Sequence, residues 1–191
     1  MNSDFVPQLP DPNRPIITLL VSHEILLTEI GLHDAEIIFE TIDKQRSYLS
    51  KWLPFVEGTK KLHDTRSFVL YSIATGSALN EYVFRINFNA VFAGLIGFRN
   101  ADKEKNRIEL GYWLAEEFQH KGIISQSVHL LTSYAITKLG FKEVIIKCAS
   151  ENGPSRRIPE NCGFEWIGQE EKAELLSDGN LTDIEIYRRG Y

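Results

Sequence analysis

Two apolar runs, Ile108–Leu114 and Val144–Ala149, flank one long helical pattern, and this arrangement constrains the fold more than any other stretch. Between them, Ile124, Val128, Leu131, Ala135 and Leu139 recur at three- and four-residue steps. That spacing predicts a helix from Ile123 to about Leu139 with one apolar face, closed by Gly140. A strand, a helix and a strand in this order make a βαβ-like crossover. Upstream, Tyr82–Asn87 alternates and Val91–Phe98 is almost wholly apolar. With Ile108–Leu114 these runs predict an antiparallel meander, its turns at Asn87–Ala90 and at the charged Asn100–Asn106. The expected class is α+β, a single domain with a central mixed, mostly antiparallel sheet flanked by helices.

The rest of the chain fits around that frame. Residues 1–15 hold four of the seven prolines, Pro7, Pro10, Pro12 and Pro15, and predict an extended arm ahead of a domain over 16–191. Ile16–Val21 predicts a first strand. Ala35, Ile38, Phe39, Ile42, Arg46 and Leu49 predict one amphipathic helix from Asp34 to about Trp52-Leu53-Pro54. A second is expected from a cap at Asp64 to about Ala74, with Gly76 as its stop. A short helix around Ser155–Asn161 and strands near 164–171 and 183–188 complete the pattern.

Charge and composition narrow the function. Twenty-one basic against twenty-six acidic residues leave a net charge of −5, a poor match for nucleic acid or an anionic membrane surface. No apolar run approaches the ~20 residues that span a bilayer, and Met1-Asn2-Ser3-Asp4 is unlike a signal peptide. Cys148 and Cys162 form no CxxC, and His23, His33, His63, His120 and His129 show no metal spacing. The expectation is a cytoplasmic protein with reduced thiols and no metal.

Three places carry chemistry. Gln119-His120-Lys121-Gly122-Ile123-Ile124 lies between a strand and the long helix. A helix start there offers free N–H groups and the positive end of the dipole to a phosphate, and Gly122 permits close backbone approach. One glycine in such a turn also has a purely steric explanation, and neither GxxxxGK[ST] nor GxGxxG is present. Asn152-Gly153-Pro154-Ser155 follows a buried strand, so Asn152 is an N-cap or a ligand bridge and Ser155 a first-turn hydroxyl. Glu109, inside Arg107-Ile108-Glu109-Leu110-Gly111-Tyr112-Trp113, either faces solvent or sits in a cleft as a general base.

In this order and spacing, these segments resemble the GNAT superfamily of acetyl-CoA-dependent N-acetyltransferases, and more nearly its RimJ/RimL-like branch, which includes enzymes that acetylate the N-termini of ribosomal proteins. The resemblance covers roughly residues 16–188. It also draws on Arg46-Ser47-Tyr48-Leu49-Ser50-Lys51-Trp52-Leu53, on Gly163-Phe164, and on Asp178-Gly179 and Asp183 before Tyr187. It implies acetyl-CoA as cosubstrate and direct transfer to a primary amine, with a protein N-terminus as one acceptor. The backbone of Trp113 and Leu114 would pair with pantetheine, and the N–H groups of Gln119 to Ile124 would cradle the pyrophosphate. Asn152 would hold pantetheine or a water. Glu109 would be the base, with Ser155 near the sulfur as acid or hydrogen-bond donor. Trp52 and Phe55 would belong to the acceptor wall, which extends toward Leu79.

Three departures stand out. His120 occupies a position often glycine in the branch, Ile124 replaces a small residue, and Pro159 stands where many relatives carry a tyrosine acid. A small-molecule amine acetyltransferase and a non-catalytic acyl-CoA-binding module are the competing readings. Exposed strand edges would permit a homodimer.

Overall fold

The computed structural model describes residues 14–190. The expected arm over 1–15 therefore lies outside the described residues, except for Arg14 and Pro15. Arg14 pairs with the buried Glu29 and lies over the Tyr82 ring.

Eight strands form one sheet: β1 (Thr18–Leu20), β2 (Ile25–Glu29), β3 (Val83–Phe88), β4 (Val91–Asp102), β5 (Arg107–Leu114), β6 (Glu143–Ala149), β7 (Glu165–Leu175) and β8 (Leu181–Gly190). Their spatial order is β1-β2-β3-β4-β5-β6-β8-β7, antiparallel throughout except for the parallel β5–β6 pair. The crossover joining β5 to β6 contains α5 (Ile123–Thr137), as the apolar spacing predicts. The α+β expectation holds. Strand β2, absent from the sequence reading, is five residues of alternating buried and half-buried side chains paired with β1 and β3.

Two helical regions differ from expectation. The single helix over residues 34–54 is broken at Gln45 into α1 (Ala35–Lys44) and α2 (Arg46–Leu49), followed by α3 (Phe55–Gly58). Helix α4 runs Leu62–Leu79, past the expected stop at Gly76. That glycine is buried inside the helix, where a Cβ would meet the Tyr82 ring at 3.1 Å. The stop is Asn80, in the left-handed conformation with φ 61°. Asp64 is not the cap itself: it lies one turn in and accepts from the amides of Lys60 and Lys61 at 2.9 and 2.8 Å.

Alternation along the strands feeds two cores. Phe84, Ile86, Phe98, Ile108, Leu110, Val144 and Ile146 pack with Ile123, Val128, Leu131 and Ala135 of α5. Phe92, Leu95 and Trp113 pack with Ile38, Ile42, Leu49, Val56 and Val69 from the α1–α4 region. Each such fully buried side chain contributes roughly 1.5–3 kcal/mol. The last helix, α6 (Gly153–Asn161), follows β6 directly and carries a buried Pro159. At the sheet rim, β7 is exposed at every residue except the half-buried Gly168 and Glu174. Its pairing with β8 slips twice, at Trp166/Gly168 and at Glu170/Glu174. No helix among the described residues is long and apolar enough to cross a membrane.

Candidate active site

The parallel pair β5–β6 is registered only over Arg107–Glu109 against Glu143–Ile145. Beyond Glu109 the strands part, while β5 stays paired with β4 as far as Leu114. Ala115 N donates to Ala93 O at 2.8 Å. The alternation of an antiparallel ladder then turns the N–H groups of Leu114 and Tyr112 away from β4, into the opening. Gly94 lets β4 and β5 close tightly here, since a Cβ on it would stand 2.2 Å from Trp113 O.

At the mouth of the opening, α5 begins. Gly122, at φ 70°, is its N-cap, and the first intrahelical bond runs from Gln126 N to Gly122 O at 3.1 Å. The amides of residues 120–125 therefore find no carbonyl among the described residues, an arrangement that suits a phosphate. His120 takes φ 60°, the left-handed conformation a glycine adopts without cost. Ile124 buries its side chain in the core and leaves its N–H at the helix start. Gln119 departs from the expected cradle: its N–H already donates to Glu116 O at 3.1 Å, and its side-chain amide donates to the Tyr48 hydroxyl. Ser125, which the sequence reading missed, supplies a free amide and lines the cleft.

Two clefts converge on this opening. The smaller, about 360 Å³, is lined by Trp113, Leu114, Gln119, His120, Lys121, Gly122, Ile123, Ile124, Asn152 and Ser155, and so unites every expected cofactor residue. The larger, about 490 Å³, takes in Trp52 and Phe55 together with Phe68, Tyr71 and Glu174. Trp52, Leu53, Tyr112, Trp113, Asn152 and Ser155 line both. Phe55, Phe68 and Tyr71 are 47%, 43% and 49% exposed, an apolar rim open to solvent.

At the shared wall, Asn152 caps α6 by accepting from Ser155 N at 3.2 Å. Tyr112 donates to Ser155 O at 3.2 Å, and its hydroxyl lies 3.5 Å from Ser155 Oγ. Burial holds the Tyr112 phenol far above its ordinary range. Cys148 also lines the larger cleft, and burial pushes its thiol up to about 11. At neutral pH it is a thiol, not a nucleophilic thiolate.

Glu109 is buried but lies behind the wall, which Leu110 and Gly111 form instead. Its carboxylate accepts from Arg99 Nε at 2.6 Å and Asn100 Nδ2 at 3.0 Å. Glu174, unremarked in the sequence reading, does line the larger cleft. The slip between Glu170 and Glu174, with Lys172 at φ 47° and its N–H on Asp183 at 2.8 Å, turns Glu174 inward on an otherwise exposed strand. Burial raises its carboxyl above the ordinary range; the nearby Glu109 charge adds to this and Arg99 opposes it. The signal in the sequence was one glutamate among the four acidic residues between 165 and 174, which alternation alone does not single out.

Comparison with known proteins bears on this geometry. The "Putative ribosomal N-acetyltransferase YdaF" of Bacillus subtilis is 31% identical over 173 residues, covering 90% of this chain and 94% of that protein. The ribosomal-protein-serine acetyltransferase of Escherichia coli is 26% identical over 90% of this chain and 96% of its own length. Among solved structures, RimL, the ribosomal L7/L12 alpha-N-protein acetyltransferase, in complex with coenzyme A superposes with a TM-score of 0.85 at 25% identity, covering 91% of this chain and 98% of RimL. The microcin C7 self-immunity acetyltransferase MccE, in complex with acetyl-CoA and AMP, gives 0.83 at 27% identity, covering 90% and 94%. Residues 24–165 match the acetyltransferase (GNAT) domain, and the chain belongs to that family of acetyl-CoA-dependent N-acetyltransferases, in its RimJ/RimL-like branch.

Proposed function

We propose that this chain acetylates the free N-terminal amine of a protein, with acetyl-CoA in the smaller cleft and the acceptor in the larger. The observation that carries this reading is the wall of six residues common to both clefts, placed where β5 and β6 part. There an amine entering from one side meets a thioester entering from the other, with no covalent relay through the chain. The neutral Cys148 thiol agrees with direct transfer.

The residues divide the work. The amides of residues 120–125 hold the pyrophosphate, and the backbone of Trp113 and Leu114 receives the pantetheine arm as an added strand. Leu114 N–H faces the charge that develops on the thioester oxygen, an interaction typically worth about 2.7–4 kcal/mol. Glu174 takes the amine proton: it faces the cleft, and its raised pKa brings it closer to working pH. Glu109, expected as base, instead holds Arg99 beside that cleft. Ser155, on the wall shared by both clefts, turns its hydroxyl proton from Tyr112 to the departing sulfur.

A small-molecule amine is the second reading, favoured by the exposed aromatic rim. The similarity to MccE, whose structure holds AMP beside acetyl-CoA, points the same way. The two separate in one assay, with acetyl-CoA and three acceptors: a peptide with a free N-terminal serine, the same peptide with its N-terminus blocked, and spermidine. Acetylation of the free peptide alone, read by mass, is the expected result. Modification of spermidine alone moves the chain to the small-molecule reading. Cofactor binding with no turnover on any acceptor leaves a binding module.

A further inference from the structure

Segment 46–59, which lines the larger cleft through Trp52, Leu53, Pro54, Phe55 and Thr59, holds two four-residue helices, α2 and α3, too short to be stable alone. Arg46 knits it into one unit by donating to Val56 O at 3.0 Å and Thr59 O at 2.6 Å, with Asp43 Oδ1 at 2.8 Å as a third acceptor. Beyond Leu49 and Val56 in the core, the unit is tied to the chain just ahead of α5. Gln45 Nε2 donates to Glu117 Oε2 at 2.6 Å, Glu116 N donates to Gln45 Oε1 at 2.9 Å, and Gln119 donates to the Tyr48 hydroxyl. Tyr48 is half-buried and lines the cofactor cleft. Four residues further along, Trp52 lines both clefts.

We infer that Tyr48 and Gln45 are positioning residues that fasten the acceptor wall to the cofactor loop, so that filling the smaller cleft sets the shape of the larger. The inference rests on assigning the smaller cleft to acetyl-CoA. A ligand that orders residues 119–126 fixes Gln119, and Gln119 fixes Tyr48. Trp52 and Phe55 follow because Arg46 makes the segment move as one piece. The acceptor cleft is thus finished only after the cofactor is seated. The tie is reciprocal, so an acceptor in the larger cleft tightens the cofactor loop by the same factor.

Amide exchange of the full chain, with and without saturating acetyl-CoA, tests this directly. In the natural chain, acetyl-CoA is expected to slow exchange at residues 119–126 and also at 46–58, the latter by roughly five- to a hundredfold. Tyr48→Phe, which keeps the ring, is expected to retain the first effect and lose the second. Gln45→Ala, which leaves Tyr48 in place, gives the same pattern in reduced degree. Protection at 46–58 that survives in both variants would mean simple contact with the cofactor and overturns the tie. Protection confined to 119–126 in the natural chain overturns it as well. No protection at 119–126 removes the cofactor assignment itself, and the tie with it.

Discussion

The smaller cleft is made of backbone and the larger of side chains. In the first, a parting of two strands and the start of one helix supply the functional groups, and side-chain identity matters mainly where it controls φ, at His120 and Gly122. In the second, side chains come from α1, α3, α4, α6 and from β3 to β7, brought together only by the complete sheet. A backbone site tolerates sequence change and keeps one ligand. A side-chain site can be refitted to another acceptor with few substitutions, leaving the fold and cofactor cleft untouched.

This contrast is open to direct attack. The largest expected effect is Glu174→Gln, which should lower kcat/KM by about 10²–10⁴-fold while calorimetry finds acetyl-CoA affinity unchanged. The same substitution should erase the acid limb of the pH–rate profile. It should also change stability: the folded chain keeps the Glu174 proton to a pH above the ordinary carboxyl value of 4.5, so stability falls as pH rises through that window. Urea titrations across the window should show the decline in the natural chain and less of it in the variant. Gly122→Val comes next. A β-branched residue held left-handed costs about 1–2 kcal/mol; where the empty loop relaxes to escape it, that cost returns on binding and acetyl-CoA affinity should fall by up to roughly thirtyfold. Phe68→Ala should raise the acceptor KM about three- to tenfold and leave acetyl-CoA binding alone, because Phe68 lines only the larger cleft. Smallest is His120→Gly, which relieves a left-handed non-glycine residue and should raise Tm by about 2–4 °C. A loss of cofactor affinity in Phe68→Ala, or of acceptor affinity alone in Gly122→Val, would show that the two clefts are not separately built.

The backbone cleft was legible in the sequence for the same reason that it is robust. Periodic apolar residues from Ile124 to Ala135 fix where a helix starts, and a helix start dictates free amides without reference to distant residues. Strand β2 escaped because five residues between turns give too short an alternation. Gly76 misled because its role is to admit Tyr82, a contact 6 residues away that no local rule contains. The side-chain cleft was legible at Trp52 and Phe55 and, without single residues, along the segment toward Leu79. Glu109 and Glu174 both sit on strands, and which of them faces the cleft depends on a slip in β7 and on Arg99 closing over Glu109. Both are tertiary facts.

The slip in β7 has a second consequence, for self-association. An eleven-residue strand at the rim of a sheet offers an open ladder to another copy of itself. Here the ladder is broken at two points, and its exposed residues include Glu165, Glu170, Glu171 and Lys172, mostly of one sign. A second β7 laid alongside would meet misaligned amides and like charges, both of which discourage runaway pairing and fibre growth. The kink that directs Glu174 toward the acceptor also keeps the sheet from being extended at that edge.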